Sequence, residues 1–410
     1  MNLSLKSTQL EDAHIVIPGS KSESNRLLIL SSLFKNLSLE NISNSDDTNY
    51  LLNALHSKSS IIDIGHAGTA MRFLTSYFSL TTEKEIELRG SQRMHNRPIK
   101  ILVDSLRQIG ASIHYLDKEG YPPLLIKPSK LISKNLIVDS STSSQYISSL
   151  LLIAPKISGG LKIELKGRET SRPYIDMTIL ILKKIGVEIN STENHITISE
   201  LQKIDSKKLY LESDWSSASY FYSVVALAEI GYSMKLSKFT LNSLQGDSKV
   251  AEIYKSFGVK TIYLDDLVIL KKIESHTQKF SFDLTSNPDL AQTICITCLG
   301  LGIKCNLTGL HTLKIKETDR LLALKKELSK FNLKVKITDD SISFDNVEFL
   351  KSNVVIETYD DHRMAMSFAC LATKVKVIIK DSEVVSKSYK SFWSDLERIA
   401  IYSEQFYQIT

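Results

Sequence analysis

Residues 285–300 read TSNPDLAQTICITCLG, in which small and helix-capping residues precede an apolar helical segment. The same pattern occurs in five other stretches, which read GSKSESNRLLILSSL (19–33), GHAGTAMRFLTSYF (65–78), SSTSSQYISSLLLIA (140–154), ESDWSSASYFYSVVALA (212–228) and YDDHRMAMSFACLA (359–372). One residue in each opening marks its position: Ser22, Gly68, Ser143, Ser216, Asp289 and His362. Successive markers lie 46, 75, 73, 73 and 73 residues apart, which indicates six structural repeats, the first of them shortened.

A second series of segments has the same period. In each of them an apolar helix ends at a turn and passes into a strand, as in SLRQIGASIHY, LKKIGVEINS, YKSFGVKTIYL and LSKFNLKVKIT. The turn residues are Gly110, Gly186, Gly258 and Asn332, and they lie 76, 72 and 74 residues apart. Because glycine and asparagine adopt the left-handed conformation that closes a helix, the series predicts helix ends followed by strands. We expect each repeat to have the order β-α-β-α-β-β.

The composition is that of a globular protein with two or three domains, at about 150 residues per domain. Of the 410 residues, 42% are hydrophobic and 24% are charged, which excludes a disordered or fibrous chain. The net charge of +5 suits small anionic ligands and is too weak to indicate nucleic-acid binding. No apolar run reaches the roughly 18 residues of a membrane span, and we expect no signal or transit peptide. These features predict a cytoplasmic protein.

Neither a metal nor another cofactor is expected. Cys295 and Cys298 form a CxxC within the apolar run ICITCLG, with no second pair and no nearby histidine. We therefore interpret them as small core residues of a helix, and not as a redox or zinc site. Four cysteines in the whole chain fit a reducing compartment, and the nine histidines do not cluster with metal-ligand spacing.

Arginine is scarce, with 11 residues against 40 lysines. Seven of the arginines nevertheless lie in predicted helix openings: Arg26, Arg72, Arg93, Arg97, Arg172, Arg320 and Arg363. The guanidinium group binds phosphate and carboxylate in a bidentate manner, and helix N-termini attract anions. Surface ion pairs would scatter the arginines along the chain. The pattern therefore predicts a site for a ligand with several negative charges.

Seven sequence blocks carry a family resemblance, namely PGSKSESNR (18–26), AGTAMR (67–72), QRMHNRPI (92–99), SSQY (143–146), SRPYID (171–176), KETDRL (316–321) and DDHRMAM (360–366). In content and order they resemble the 5-enolpyruvylshikimate-3-phosphate synthases, and they span nearly the whole chain. The resemblance implies an α/β protein with the two-domain enolpyruvyl transferase fold. Each domain would contain three β-α-β-α-β-β repeats in an inverse α/β barrel-like arrangement, with the active site in the interdomain cleft.

The resemblance also implies domain boundaries. Residues 1–18 with 213–410 would form a discontinuous domain that carries phosphoenolpyruvate-side groups together with Asp289 and Glu317. Residues 19–212 would form an inserted domain that carries shikimate 3-phosphate-binding groups. A monomer is expected, with two small-molecule substrates and with neither a nucleic-acid nor a membrane partner.

The implied reaction transfers the carboxyvinyl group of phosphoenolpyruvate to the 5-hydroxyl of shikimate 3-phosphate and releases phosphate. It proceeds by addition and elimination through a tetrahedral intermediate. By resemblance, phosphoenolpyruvate would be bound by Lys21, Gly68, Arg97, Gln145, Arg320, Arg363 and Lys387. Shikimate 3-phosphate would be bound by Lys21, Ser22, Arg26, Ser143, Ser144, Gln145, Ser171, Tyr174, Asp289, Thr312 and Lys316.

Three residues are expected to be catalytic by the same resemblance. Asp289 would face the 5-hydroxyl, Glu317 would pass a proton to and from the vinyl carbon, and Lys21 would assist. Each carboxylate also has a simpler explanation, since Asp289 suits the first turn of a helix and Glu317 suits a solvated, charged helix start. The family match favours the catalytic interpretation.

Three positions depart from the usual family pattern. His66 stands where the family often has asparagine, Phe73 where it has proline, and Thr312 where it usually has asparagine. Thr312 keeps a hydroxyl group but lacks the amide. His66 fits either a phosphate ligand or a neutral loop residue.

Two other functions remain open at this stage. The UDP-N-acetylglucosamine enolpyruvyl transferases share the fold, but their pattern has Lys-Asn in place of Lys21-Ser22, and a loop cysteine that this sequence lacks. A non-catalytic repeat protein that binds anionic polymers would explain the repeats and the arginines, but not Gln145, Asp289 and Glu317 in family-matching blocks. The family's inhibitor glyphosate shares the phosphoenolpyruvate site, so a chain that retains Gly68 is expected to be inhibited by it.

Overall fold

The computed structural model describes residues 1–7, 9–141, 143–167, 170–346 and 348–405. They form two compact units, which we call the inserted unit (Gly19–Leu211) and the discontinuous unit (Met1–Pro18 with the chain from Glu212 onward). Glu212, expected at the end of the inserted domain, belongs to the discontinuous unit. Its buried carboxylate accepts hydrogen bonds from Trp215 Nε1 and the Thr240 amide, both at 2.8 Å, which tie it to that unit.

The described residues form strands and helices with the following bounds. The strands are β1 Leu3–Ser7, β2 His14–Ile15, β3 Leu37–Glu40, β4 Ile61–Asp63, β5 Ile86–Arg89, β6 Ser112–Tyr115, β7 Leu124–Lys127, β8 Asn135–Asp139, β9 Leu161–Lys166, β10 Ile189–Ser191, β11 His195–Ile198, β12 Lys207–Tyr210, β13 Ser233–Ser237, β14 Val259–Leu264, β15 Leu267–Lys272, β16 Lys279–Asp283, β17 Lys304–Thr308, β18 Lys336–Ile337, β19 Ile342–Phe344, β20 Val354–Ile356, β21 Val377–Ile379 and β22 Ile401–Gln405. The α-helices are α1 Lys21–Leu33, α2 Asp46–His56, α3 Gly68–Thr81, α4 Gln92–His95, α5 Lys100–Gln108, α6 Ser144–Ile153, α7 Arg172–Lys184, α8 Trp215–Leu227, α9 Val250–Ile253, α10 Ala291–Leu301, α11 Arg320–Ser329, α12 His362–Ala369 and α13 Phe392–Glu397. Short 3₁₀ turns occur at Ala154–Lys156, Gly246–Lys249, Tyr254–Phe257, Pro288–Leu290, His311–Ile315, Cys370–Thr373 and Ser382–Lys387.

Five four-stranded sheets share one strand order, which confirms the predicted repeat. The orders are β4-β5-β7-β6, β8-β9-β11-β10, β2-β13-β15-β14, β16-β17-β19-β18 and β20-β21-β1-β22. In each sheet the first two strands are parallel and the remaining pairs are antiparallel. The sixth sheet is the parallel pair β12-β3, which corresponds to the shortened first repeat. Each of these sheets is open.

The strands nearest the chain crossings complete sheets that are distant in sequence. Strand β2 pairs with β13 through Lys235↔His14 and Leu236↔Ile15, within the discontinuous unit. Strand β12 pairs with β3 from Lys207↔Leu37 to Tyr210↔Glu40, within the inserted unit. In each unit an early strand therefore pairs with a strand that comes much later in the chain.

In the inserted unit, the helices α1, α3 and α6 form the centre. Ser149 Oγ on α6 donates to the Arg72 carbonyl on α3 at 2.7 Å and lies 2.6 Å from Ser76 Oγ. Arg26 on α1 donates from Nη2 to Ser148 Oγ on α6 at 3.2 Å. Because these contacts join residues near the start of each helix, the three N-termini lie at one end of the unit.

In the discontinuous unit, α8, α10 and α12 form an equivalent centre. The hydroxyls of Ser219 and Thr293 lie 3.2 Å apart, and those of Thr293 and Ser367 lie 3.3 Å apart. Both pairs are separated by 74 residues, so each helix contributes the same repeat position. The six markers of the sequence thus lie at or next to the starts of the six central helices, as predicted.

The four predicted turn residues all have positive φ angles, which confirms the second series. The angles are 105° at Gly110, 103° at Gly186, 74° at Gly258 and 63° at Asn332. Cys295 and Cys298 are buried in α10 as free thiols, in agreement with their interpretation as core residues.

Candidate active site

Four side chains from three loops meet near the N-termini of α10, α11 and α12. Asp289 lies in the turn before α10, Glu317 and Arg320 lie at the start of α11, and Arg363 lies in the first turn of α12. Asp289 Oδ1 is 3.0 Å from Arg320 Nη1, and Asp289 Oδ2 is 3.0 Å from Arg363 Nη2. Glu317 Oε2 is 2.8 Å from Arg320 Nη2. We call these four residues the ion-pair cluster.

Lys316 joins the ion-pair cluster from the same loop, since its Nζ lies 3.7 Å from Asp289 Oδ1. The side chains are not equally accessible: Arg320 is 2% exposed, Asp289 is 15% exposed and Glu317 is 23% exposed. The two carboxylates predicted to act on protons are thus partly open to solvent, whereas the arginine between them is buried.

Asp361 holds the two arginines of the cluster and was not singled out from the sequence. Its Oδ2 is 2.6 Å from Arg320 Nε, and its Oδ1 accepts a hydrogen bond from the Arg363 amide at 2.8 Å. The residue is the N-cap of α12 and is fully buried. Its position in the block DDHRMAM was available as a signal, because an aspartate directly before a helix is a typical cap.

The charges of the cluster shift the pKa values of Asp289 and Arg320. Burial alone would raise the pKa of Asp289, but the Arg363, Lys316 and Arg320 charges outweigh burial and hold that pKa well below its usual range. Burial alone would lower the pKa of Arg320, but Asp361, Glu317 and Asp289 raise it above its ordinary value. In the free protein Asp289 is therefore a carboxylate and a weak base.

A second buried aspartate lies behind Asp289. Asp247 accepts hydrogen bonds from Ser216 Oγ and from Asn287 Nδ2, the latter at 3.3 Å. Burial, together with the charge of Asp289, raises the pKa of Asp247 to about 6. Nothing in the sequence pattern pointed to this residue, because its neighbours come from α8 and from the loop before Asp289.

Two predicted site residues of the discontinuous unit make no direct bond to the ion-pair cluster within the described ranges. Lys387 donates from Nζ to the Asp360 carbonyl at 2.6 Å. Thr312 is 5% exposed, and its Oγ1 has no hydrogen-bond partner in the part of the chain that the structure describes.

In the inserted unit, Arg97 lies against the first residue of α3. A Cβ atom added to Gly68 would overlap Arg97 Nη1 and would lie 3.0 Å from Arg97 Cζ, so only glycine admits the guanidinium group at this distance. Arg97 is 8% exposed and its Nε has no hydrogen-bond partner among the described residues. Ala67 gives α3 no side-chain cap. Together these features form an anion-binding arrangement.

Gln145 and Lys21 lie at the starts of the two neighbouring central helices. Gln145 Nε2 donates to Thr69 Oγ1 at 3.3 Å, which links α6 to the first turn of α3. Lys21 Nζ lies 3.4 Å from Asp47 Oδ2, and His66 Nε2 lies 3.8 Å from Asp47 Oδ1. Asp47 is a further charged neighbour that the sequence analysis did not identify.

Arg26 is buried and bonded to neutral oxygen atoms. It donates to Thr178 Oγ1 at 2.7 Å, to the Ser22 carbonyl at 2.8 Å and to the Tyr174 carbonyl at 3.1 Å. Burial lowers its pKa to about 10. The charge of Glu23 opposes this lowering but does not outweigh burial.

The predicted serines lie at two helix starts of the inserted unit. Ser143 Oγ caps α6 by accepting a hydrogen bond from the Gln145 amide at 3.3 Å, and Ser144 is buried. Ser171 precedes α7 with φ 52° and ψ 40°, a left-handed conformation that is uncommon for serine. Such local strain is often found at binding sites.

The chain is also similar to known proteins. The family model described as EPSP synthase (3-phosphoshikimate 1-carboxyvinyltransferase) matches residues 56–396. The 3-phosphoshikimate 1-carboxyvinyltransferase of Bacteroides fragilis is 42% identical over 390 residues, which cover 94% of this chain and 95% of the relative. The chain belongs to the EPSP synthase family. The enzyme of that name from a Sulfurovum species is 35% identical to this EPSP synthase family member, over 98% of the chain and all of the relative.

The fold is shared with a solved structure. An EPSP synthase structure from Acinetobacter baumannii covers 98% of this chain, is itself 99% covered, and has a TM-score of 0.79 at 20% identity. The family assignment from seven sequence blocks and the α/β fold class are confirmed. The match to EPSP synthases also supports carboxyvinyl transfer to shikimate 3-phosphate over the UDP-N-acetylglucosamine alternative.

In this EPSP synthase family member, no helix formed by the described residues combines the length and the apolar character needed to cross a membrane. Within the same ranges, no group of three or more His, Cys, Asp or Glu side chains is arranged to hold a metal ion.

Proposed function

We propose that Asp289, Glu317 and Lys21 carry out the transfer of the carboxyvinyl group from phosphoenolpyruvate to the 5-hydroxyl of shikimate 3-phosphate. The reaction proceeds by addition and elimination through a tetrahedral intermediate and releases phosphate. The observation that carries the proposal is the ion-pair cluster, in which two partly exposed carboxylates lie against two buried arginines. Proton transfer in the presence of anionic substrates requires these two kinds of group side by side.

Asp289 takes the proton of the attacking 5-hydroxyl. Its pKa is low in the free protein because Arg363, Lys316 and Arg320 surround it. The phosphate and carboxylate groups of the substrates compete for the same cations, which reduces their effect on Asp289 and raises its pKa. Substrate binding thereby makes the carboxylate a stronger base at the moment when a base is needed.

Glu317 donates a proton to the methylene carbon during addition and removes it during elimination. Its contact with Arg320 Nη2 at 2.8 Å orients the carboxylate. Since Asp361 holds Arg320 from the opposite side, Arg320 orients Glu317 without moving itself. Asp361 is thus a positioning residue in this proposal.

Phosphoenolpyruvate is bound by Lys21, Gly68, Arg97, Gln145, Arg320, Arg363 and Lys387. Support in the inserted unit comes from Arg97, whose buried guanidinium has no carboxylate partner among the described residues. It lies against Gly68 at the uncapped start of α3, where the helix dipole also favours a negative charge. A phosphate or carboxylate at this point compensates a charge that the chain leaves unbalanced.

Shikimate 3-phosphate is bound by Lys21, Ser22, Arg26, Ser143, Ser144, Gln145, Ser171, Tyr174, Asp289, Thr312 and Lys316. The hydroxyls of Ser143 and Ser171, at the starts of α6 and α7, suit a phosphate group. The buried charge of Arg26 adds long-range attraction for an anion. Thr312 bonds a hydroxyl group of the substrate in this proposal. The support is that its buried Oγ1 has no partner among the described residues.

The test is phosphate release by the purified chain in four mixtures. We expect release with shikimate 3-phosphate and phosphoenolpyruvate together, and none with either substrate alone. Replacement of shikimate 3-phosphate by UDP-N-acetylglucosamine should give no release. Turnover of the nucleotide sugar, or no turnover of the first mixture, would contradict the proposal.

We further propose that the enzyme is a cytoplasmic monomer. All four cysteines are free and buried, which fits a reducing compartment. Light scattering on a size-exclusion column would test the monomer directly, and a molar mass of twice the chain or more would contradict it.

A further inference from the structure

The carbonyl oxygen of Pro98 accepts hydrogen bonds from two buried side chains on different helices. Tyr146 Oη on α6 donates at 2.6 Å, and Arg72 Nη2 on α3 donates at 2.9 Å. Tyr146 is 2% exposed and Arg72 is 3% exposed. A carbonyl oxygen has two lone pairs, so the two donors use its full capacity and fix its position from two directions.

The fixed carbonyl belongs to the residue directly after Arg97. The backbone on either side is also bonded, since the Arg97 amide donates to the Met94 carbonyl at 3.0 Å and the Ile99 amide donates to the Gly120 carbonyl at 2.9 Å. The Arg97 guanidinium, by contrast, makes no hydrogen bond to any residue that the structure describes. Its position is therefore set by the backbone that carries it and by its contact with Gly68.

Tyr146 also lies next to a second group proposed to bind phosphoenolpyruvate. Gln145 directly precedes it and bonds to Thr69 Oγ1 on α3 at 3.3 Å. The Tyr146 hydroxyl thus connects the start of α6, which carries Gln145, to the backbone of Arg97. Arg72 makes the matching connection from α3, because its Nη1 also donates to the Gly68 carbonyl at 3.2 Å.

We propose that Tyr146 is a positioning residue whose hydroxyl holds Arg97 in register with Gly68 and Gln145 for binding of phosphoenolpyruvate. The inference rests on the proposed function, since it assigns a role in that same site. Tyr146 acts through the Pro98 carbonyl and does not touch the substrate. The binding site therefore depends on the hydroxyl group of Tyr146. This residue directly follows Gln145, which is itself assigned to substrate binding.

Removal of this hydroxyl leaves the fold intact. In Tyr146→Phe the ring still fills its buried space, and the Pro98 carbonyl keeps its bond to Arg72. No buried polar atom loses its last partner, so the large penalty for an unsatisfied group does not apply. What is lost is one of the two hydrogen bonds to the Pro98 carbonyl.

The experiment compares steady-state kinetics of wild type and Tyr146→Phe with phosphoenolpyruvate varied at saturating shikimate 3-phosphate. We expect the KM for phosphoenolpyruvate to rise about three- to tenfold, the range that loss of one hydrogen bond produces. We expect kcat to change by less than about twofold, because Arg97 binds the ground state and the transition state alike. The dissociation constant of shikimate 3-phosphate alone should stay unchanged.

Tyr222→Phe is the matched control. Tyr222 on α8 is also buried, and its hydroxyl makes one side-chain hydrogen bond, to Thr261 Oγ1 at 2.8 Å, in the discontinuous unit. The Tyr222→Phe variant should lower the melting temperature about as much as Tyr146→Phe does, and it should leave the KM for phosphoenolpyruvate unchanged. Equal KM values for the two variants would overturn the proposal, and so would a fall in kcat without a change in KM.

A double-mutant cycle with Arg97→Lys tests whether Tyr146 acts through Arg97. If it does, Tyr146→Phe raises the KM little further in a protein that already carries Arg97→Lys. If the two residues act independently, the fold-changes in KM of the two single variants multiply in the double variant. Arg72→Lys is a second variant that removes the other bond to Pro98, and it should raise the KM at least as much because the guanidinium also bonds the Gly68 carbonyl. A wild type without turnover would contradict the proposed function itself, while an active wild type with multiplying effects would contradict only the role of Tyr146.

Discussion

The two units hold their buried arginines in different ways. In the discontinuous unit, Arg320 contacts the carboxylates of Asp289, Glu317 and Asp361 at 3.0, 2.8 and 2.6 Å. In the inserted unit, Arg26 donates to hydroxyl and carbonyl oxygens, and Arg97 makes no hydrogen bond from its guanidinium within the described ranges. Both units nevertheless have the same arrangement of three central helices whose N-termini lie together.

The difference separates two ways of preparing for anionic substrates. A buried cation paired with carboxylates is neutralised by the protein, and the pKa of Asp289 is lowered by such pairing. A buried cation without a carboxylate reduces the stability of the free protein, and an anion from solution compensates it. We therefore expect the discontinuous unit to supply proton transfer and the inserted unit to supply binding, and five variants test this division.

The largest effect is expected for Glu317→Gln in the discontinuous unit. The amide keeps the shape of the side chain but cannot transfer the proton, so kcat should fall by about 10²–10⁴-fold. Calorimetry should give an unchanged affinity for shikimate 3-phosphate. Glu252→Gln is the control, because Glu252 also forms an ion pair at a spacing of three residues, with Lys249, and is 62% exposed. If both variants keep normal kcat, Glu317 is only a surface charge.

Arg320→Met and Arg97→Met compare a paired cation with an unpaired one. Loss of Arg320 leaves the buried Asp361 carboxylate without its cation, so the free energy of unfolding should fall by about 3–5 kcal/mol. Loss of Arg97 removes an uncompensated charge and should leave that free energy unchanged or higher, while the KM for phosphoenolpyruvate rises. Urea unfolding of both variants measures the free energy of unfolding. Equal losses of stability would contradict the expected difference between the paired and the unpaired arginine.

Asp247→Asn tests the electrostatics behind Asp289. The pKa of Asp247 is raised from 3.8 to about 6, so the folded protein binds this proton more tightly than the unfolded chain. Its ionisation therefore lowers stability as the pH rises from about 4 to 6, by roughly 2–3 kcal/mol for a shift of about two units. Asp289 does not mask this effect. Because the pKa of Asp289 is lowered, its contribution to stability is lost as the pH falls, in more acidic solution.

We expect Asp247→Asn to remove this loss of stability, because the amide stays neutral. Relative to wild type, the variant should unfold at higher urea concentration at pH 7 and at a similar concentration near pH 4. Asp345→Asn is the control, because Asp345 is 84% exposed. Parallel pH profiles for wild type and Asp247→Asn would show that Asp247 ionises freely.

The smallest effect is expected for Gly68→Ala in the inserted unit. The added methyl group would lie 3.0 Å from Arg97 Cζ, so the guanidinium must move out of its present position. We expect wild type to be inhibited by glyphosate, and the variant to lose about tenfold in glyphosate affinity, the effect of roughly 1.4 kcal/mol. The KM for phosphoenolpyruvate should rise less, since phosphoenolpyruvate is the shorter ligand. The test is to titrate glyphosate and phosphoenolpyruvate on wild type and on Gly68→Ala. An equal loss of affinity for the two ligands would show that Gly68 does not set the length of this site.

The features predicted from sequence are those that depend on local chemistry. The central helices begin where small and capping residues precede apolar ones, and Gly110, Gly186, Gly258 and Asn332 adopt positive φ because their side chains permit it. The order of elements in the repeat, β-α-β-α-β-β, was also predicted, because the same pattern of helix and strand recurs along the chain. These preferences act within a few residues and need no knowledge of the partner segment.

The remaining features depend on which segments approach each other. The pairing of Arg320 with Asp361 joins residues 41 positions apart, and that of Asp247 with Asn287 joins residues 40 apart. The pairing of β2 with β13, and that of β12 with β3, involves strands β2 and β12 of two and four residues, which are too short for an alternating pattern to identify. The contact of Asp47 with Lys21 likewise arises only when α1 and α2 pack together.

The pairing of β1 determines the order in which the chain can complete its structure during synthesis. Strand β1 is made first, but its neighbours β21 and β22 lie at Val377–Ile379 and Ile401–Gln405. The inserted unit, by contrast, has all of its strands once Tyr210 has left the ribosome. At about 5–20 residues per second, the first strand waits on the order of ten to forty seconds longer for its partners than the inserted unit does. The inserted unit therefore has all of its strands available before strand β1 of the discontinuous unit has its partners.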